Sequence, residues 1–304
     1  MKPTLAALTL AAALAAHSPA LAQTAQPVDE AARIAVISAF EPEWIALQEM
    51  IEGREDHLIS GTTFVTGTME GKPILLFLSG VSMVNAAMTT QIALDRFNVD
   101  RIVFSGIAGG VDPDLAIGDV VVSEQWSQYL EAIFARETED GFAIPSFMQT
   151  DVPGYGMIFP REVGIARGAD GIEKRLWFPV DGEMLDVARA VAAELTLEDC
   201  AGETCLTRAP SIVVGGNGVS GQAFVDNADF REYVFETFDA KVLDMESAAV
   251  AHVAYANDVP FIAFRSLSDL AGGGEGENEM GTFMQIASDN SAAVVQAFIA
   301  ALPR

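Results

Sequence analysis

The amino-acid sequence predicts a single α/β domain of three layers, a mostly parallel or mixed twisted sheet with helices on both faces. Three observations lead there. Short runs rich in β-branched residues alternate with amphipathic stretches of helical period, glycines and carboxylates gather directly after those runs, and residues 23–304 suffice for one large core. Strands are predicted over 33–39, 63–69, 73–79, 101–106, 119–124, 211–215, 241–243 and 261–266. Helices are predicted over 43–51, 83–97, 181–195, 229–238, 245–257 and 280–301.

The segment 127–210 breaks the rhythm. It is rich in Gly, Pro and aromatics (Tyr155, Phe159, Trp177, Phe178) before its one helix. That is long for a loop and short for a domain, so it reads as an insertion that partly covers a site or builds a subunit contact.

The first 22 residues have the layout of a cleaved secretory signal: Lys2, an apolar run from Leu5 to Ala16, and Ala20-Leu21-Ala22 before Gln23. The apolar run is too short for a good membrane span. A periplasmic or secreted chain without a membrane anchor is therefore expected. Cys200 and Cys205, five apart in a polar stretch of such a chain, are expected to form a local disulfide. No metal site or cofactor is expected, since His57 and His252 stand far from that pair in sequence. Seventeen basic against 43 acidic residues give a formal charge of −26, which repels a phosphate backbone and excludes nucleic acid as a natural partner.

In open α/β sheets, ligands settle beyond the carboxyl ends of the strands. Those ends lead here into Phe40-Glu41-Pro42-Glu43, Gly80-Val81-Ser82, Gly106-Ile107-Ala108-Gly109-Gly110, Asp244-Met245-Glu246 and Ser268-Asp269. Glu43 and Asp244 are ordinary as helix caps. Glu246, predicted in the first turn of a helix whose next residues are small and apolar, is harder to place on an exposed face. Asp269 closes a strongly apolar strand, so partial desolvation should raise its proton affinity and suit it to act as an acid.

Two motifs mislead. Gly216-Asn217-Gly218-Val219-Ser220-Gly221 fits the dinucleotide pattern G-x-G-x-x-G, but Gln222-Ala223-Phe224-Val225 reads as extended rather than as the helix a pyrophosphate needs. Ser82 and Ser220 lack the nucleophile-elbow sequence and a histidine partner, which disfavours a serine hydrolase.

With these residues laid out, the chain resembles the purine nucleoside phosphorylase and nucleosidase superfamily, especially methylthioadenosine/S-adenosylhomocysteine nucleosidases. The resemblance rests on the order and spacing of Ile37-Ser38-Ala39-Phe40-Glu41-Pro42-Glu43, Ser105-Gly106-Ile107-Ala108-Gly109-Gly110, Asp244-Met245-Glu246-Ser247-Ala248-Ala249 and Arg265-Ser266-Leu267-Ser268-Asp269. The stretch from Val213 to Asn227, with the cysteine pair before it, is also similar to plant bark storage proteins.

The resemblance implies hydrolysis of a purine nucleoside at its N-glycosidic bond by a homo-oligomer. It makes Glu43 the group that polarises water, with Arg265 beside it, and Asp269, aided by Ser268, the acid at N7 of the base. Glu246 would hold the ribose hydroxyls with Met245 against the sugar. Phe224 would stack on the purine while the main chain of Val225 reads its edge. Ile107, Ala108 and Gly109 would line the site, and Phe40 with Met280 or Phe283 the 5′ pocket. Phosphorolysis needs arginine forks for phosphate. The position where family phosphorylases carry one is Phe104, and Arg33 and Arg101 stand at strand beginnings, so water is the expected nucleophile. A phosphorylase or a non-catalytic nucleoside-binding protein is the alternative. Ile107 and Ser82 depart from the pattern, replacing a small polar residue and a glycine.

Overall fold

The computed structural model describes residues 27–28, 30–167, 171–274 and 276–303. The expected signal segment lies outside the described residues. Among the described residues, twelve strands form one mixed sheet. They are β1 (Arg33–Ser38), β2 (Glu52–Ile59), β3 (Thr62–Met69), β4 (Lys72–Leu78), β5 (Val99–Gly110), β6 (Val120–Val122), β7 (Gln125–Gln128), β8 (Trp177–Pro179), β9 (Ile212–Val214), β10 (Asn217–Ser220), β11 (Ala240–Asp244) and β12 (Phe261–Asp269). Helices flank it, described as α1 (Glu41–Gln48), α2 (Met83–Arg96), α3 (Gly182–Glu194), α4 (Ala228–Phe238), α5 (Ser247–Ala256) and α6 (Met280–Ala301).

The centre of the sheet is parallel. β1 lies between β4 and β5, with Ile34 facing Ile74 on one side and Arg101 on the other, and β12 runs along β5 from Phe261 opposite Ile102 to Asp269 opposite Gly109. β12 is buried at all nine positions, which explains its continuous apolar run. Helix α2 packs on α5, while α1 and α3 pack on α6. The main core joins these layers through Val36, Phe104, Ile262, Phe264, Val250 and Phe298, all essentially inaccessible to water.

The structure extends several predicted elements. β5 continues through the glycine-rich stretch to Gly110 because β12 pairs beside it as far as Asp269. β2 was invisible to a hydrophobic pattern. It is an exposed edge strand of sequence EGREDHLI, paired only with β3. Its turn, Ser60-Gly61, and that between β3 and β4, Glu70-Gly71, place both central residues at positive φ, the geometry that matches hairpin twist. Helix α5 starts at Ser247, so Met245 and Glu246 precede it rather than occupying its first turn.

The segment 127–210 is rooted in the sheet. β7 pairs parallel with β10, and β8 returns antiparallel to β7. Between them run short hairpins, including Arg136–Thr138 with Gly141–Ala143 and Val163–Ala166 with Ile172–Arg175. Cys200 and Cys205 face each other in a two-residue ladder and are joined by a disulfide. The run after β10 does not open a helix; α4 starts only at Ala228, so the dinucleotide geometry is absent there. No described helix is long and apolar enough to cross a membrane.

Ser82, in the turn between β4 and α2, has φ 80° and ψ 161°, a backbone region that suits glycine alone. Ser82→Gly is therefore expected to stabilise the fold by about 1 kcal/mol, strain relief outweighing the added freedom of the unfolded chain, read as a higher urea midpoint at unchanged slope. A lower midpoint would refute the strain.

Candidate active site

Helix α1 begins abruptly after β1, and its early amide groups need acceptors. Glu43 supplies one from within the first turn: its Oε2 accepts from the main-chain N–H groups of Ala39 (2.8 Å) and Phe40 (3.2 Å). Its Oε1 accepts from the N–H of Ile107 on β5 at 2.8 Å. The capping role expected of an acidic residue is thus present, and it also fixes the carboxylate over the end of β5. Burial raises the Glu43 pKa, with Arg265 opposing the rise.

Asp244 ends β11 and caps α5. Its Oδ1 accepts from the N–H groups of Glu246 and Ser247, both at 3.1 Å, and from the Ser220 hydroxyl, while Oδ2 accepts from the Ser247 hydroxyl. Ser220 Oγ in turn accepts from the N–H of Ala248. Ser220 is therefore part of a cap, and the two described histidines are bonded elsewhere, His57 to Thr66 and His252 to Gln128.

Arg265 on β12 lies at the middle of these acids, 1 % exposed. Its Nε stands 2.9 Å from Asp244 Oδ2 and its Nη2 3.1 Å from Glu246 Oε2. Its guanidinium carbon sits 4.6 Å from the centre of the Phe104 ring, so the residue that replaces a phosphorylase arginine forms an aromatic floor for this cation. Among the described residues, Nη1 is buried without a hydrogen-bond partner. Glu246 Oε1 accepts from the N–H of Ser82 at 2.7 Å, which ties the unusual turn to the site. Burial raises the Glu246 pKa, and Arg265 works against it.

Asp269, 3 % exposed, ends β12 on the same cleft. Its Oδ1 accepts from the N–H of Ala271 (2.8 Å) and from Asn278 Nδ2 (3.4 Å), and its Oδ2 accepts from the Ser268 hydroxyl (3.0 Å). Burial raises its pKa despite these three donors.

One cleft joins all of these groups, with about 690 Å³ of empty space counted out to open solvent. Glu43, Arg265, Asp269, Glu246, Met245, Ser268, Ile107, Ala108, Gly109, Phe40, Phe224, Val225 and Met280 all line it; Phe283 does not. Sequence reasoning missed Ala39, Val81, Ala223 and Leu243 as lining residues, and Asn278 as a partner of the acid. Nothing in the run Gly272 to Glu279 signals that an asparagine there folds back onto β12. Arg33 opens β1 and Arg101 is the third residue of β5, both toward the opposite ends of strands that run into the cleft. Among the described residues, no group of His, Cys, Asp or Glu is arranged to hold a metal ion.

Residues 33–300 match the Phosphorylase superfamily. The chain belongs to that superfamily. Within it, the chain is 30 % identical over 269 residues to the 5′-methylthioadenosine/S-adenosylhomocysteine nucleosidase of Tolumonas auensis, covering 88 % of this chain and 98 % of that one. It is 32 % identical over 272 residues to the nucleosidase of the same name from Lysinibacillus sphaericus, covering 89 % and 100 %. The crystal structure of the Neisseria meningitidis nucleosidase in complex with methylthio-immucillin-A superposes with a TM-score of 0.67 at 25 % identity, over 89 % of this chain and 99 % of that one. The family resemblance carried by the four motifs is thereby shown.

A Cβ on Gly106 would lie 2.6 Å from Glu43 Oε1 and 2.7 Å from Arg265 Nη1, so only glycine leaves these two groups facing one small space. Gly106→Ala is expected to displace both, to lower the melting temperature by overpacking this buried cluster, and to cost about 10²-fold in turnover of the still-folded protein, a loss typical of ångström-scale misplacement. Activity within twofold of the parent would show that the space is not used.

Proposed function

We propose that this protein is an N-glycosyl hydrolase that uses water to cleave a purine nucleoside of the methylthioadenosine, S-adenosylhomocysteine or adenosine type, releasing the free base. The observation that carries the choice of water is the company of Arg265. It is the only cationic side chain lining the cleft among the described residues, and Asp244, Glu246 and Glu43 surround it. A phosphate dianion would meet three carboxylates and one guanidinium already engaged by two of them. A neutral water meets a free donor, Nη1, and an acceptor, Glu43 Oε1, across the space left by Gly106. The relatives named above, nucleosidases by name, support the same reading.

Cleaving an N-ribosidic bond builds positive charge on the sugar and negative charge on the base. The chemistry needs an acid at the base and a held nucleophile on the other side, the division of labour of inverting glycosidases. Asp269 fits the acid. Its Oδ1 faces two N–H donors that cannot accept a proton, so the acidic hydrogen resides on Oδ2, beside the Ser268 hydroxyl. Glu246, fixed by Ser82 and Arg265, presents its carboxylate to the ribose hydroxyls, with Met245 against the sugar. Phe224, 57 % exposed at the cleft, offers a face on which a purine can stack.

Incubation of the protein with methylthioadenosine or adenosine in phosphate-free buffer should release adenine, and Asp269→Asn should slow release by about 10²- to 10⁴-fold. The rate should fall as pH rises through the elevated pKa of Asp269, because the proton donor is lost, and fall as pH drops through the likewise elevated pKa of Glu43, because the acceptor for the water is protonated. Turnover that requires phosphate would assign a phosphorylase instead. Stable nucleoside binding without release of base would assign a binding protein.

We further propose that the chain works outside the cytoplasm, as a periplasmic or secreted enzyme. The layout of residues 1–22 and the Cys200–Cys205 disulfide support this. N-terminal sequencing of protein recovered from the exported fraction should begin near Gln23; a chain found only in the cytoplasm and starting at Met1 would contradict it.

A further inference from the structure

The purine-facing loop, residues 222–226, has no regular structure between two main-chain anchors. The Gly221 N–H donates to the Asp244 carbonyl at 3.1 Å, and the Asn227 N–H to the Ala271 carbonyl at 3.1 Å. Among the described residues, one hydrogen bond reaches the loop main chain between those anchors. The Tyr129 hydroxyl donates to the carbonyl of Ala223 at 3.2 Å, directly before Phe224 and Val225.

Tyr129 is well placed to hold a fixed height. It follows β7, its N–H donates to the Ser220 carbonyl at 3.1 Å, and it is 1 % exposed. The ring lies flush on the main chain of Gly221, where a Cβ would stand 2.5 Å from Tyr129 Cζ. On another side it meets Phe230 of α4 at 5.6 Å, and Phe230 meets Tyr155 of the 127–210 segment at 5.0 Å. The ring is therefore clamped between the strand end, the helix and the hairpin segment, and only its hydroxyl reaches forward.

We propose that Tyr129 is a positioning residue for base recognition, its hydroxyl setting the loop at the level where Phe224 and Val225 meet the purine. The 127–210 segment thus contributes to substrate binding through a residue that does not line the cleft. The hydroxyl touches no group that handles the proton or the water, so its effect falls on holding the base rather than on bond cleavage. The enzymatic part of this assignment rests on the nucleosidase reading; the latch itself does not.

Tyr129→Phe removes the hydroxyl and keeps the ring. Losing one hydrogen bond of ordinary strength should raise KM for methylthioadenosine and the Kd of free adenine by about three- to tenfold while kcat is retained. Hydrogen exchange measured by mass spectrometry should accelerate by a similar factor in a peptide spanning 219–228, whose bonded anchor amides Gly221 and Asn227 report on the seating of the loop, and not elsewhere. Unchanged exchange at the anchor amides of the 219–228 peptide, or a fall in kcat with KM and adenine affinity constant, would overturn the proposal. If the parent protein released no base, the nucleosidase reading would fail, and the exchange comparison would still decide whether Tyr129 holds the loop.

Discussion

The site depends on one buried cation. Arg265 emerges from the fully buried strand β12 into a ring of carboxylates from two other parts of the chain: Glu43 after β1, and Asp244 with Glu246 at the junction of β11 and α5. None of these acids would sit comfortably there alone, because removing one partner from a buried ion pair typically costs about 3 to 5 kcal/mol. Together they hold the ends of several strands in register around the cleft. The same crowding leaves one guanidinium edge unpaired and aimed at the space beside Gly106.

Each acid also has a main-chain duty. Glu43 caps α1 and braces β5, Asp244 caps α5, and Asp269 accepts from the turn that follows it. Capping and chemistry are thus not competing explanations for these residues. A carboxylate locked by amide donors has one rotamer and one orientation, which is the preorganisation that a catalytic group requires.

Much of this was legible in the sequence because the central strands are short, apolar and followed at once by their polar cargo. That pattern placed Phe40, Glu43, Ile107 to Gly109, Met245, Glu246, Ser268 and Asp269 at strand ends with no geometry at all, while Arg265, Phe224, Val225 and Met280 came only from the family resemblance. The parts that stayed hidden have no local signature. The strand Glu52–Ile59 is charged along most of its length and exists only because Thr62–Met69 pairs with it. Gly106–Gly110 reads as a turn until its neighbour holds it extended. Asn278 and Tyr129 reach the site from segments whose composition says loop and insertion, and only the folded chain brings them to Asp269 and Ala223.

The charged outer strand has a bearing on how copies of the molecule meet. An unpaired sheet margin is a template on which another chain can build, and an apolar one invites fibrous stacking. Here that margin carries glutamate, arginine and aspartate facing water, in a polypeptide whose acidic residues outnumber its basic ones by more than two to one. Like charges along this border oppose the docking of a further strand, which works against ladder growth in dense solutions of the protein.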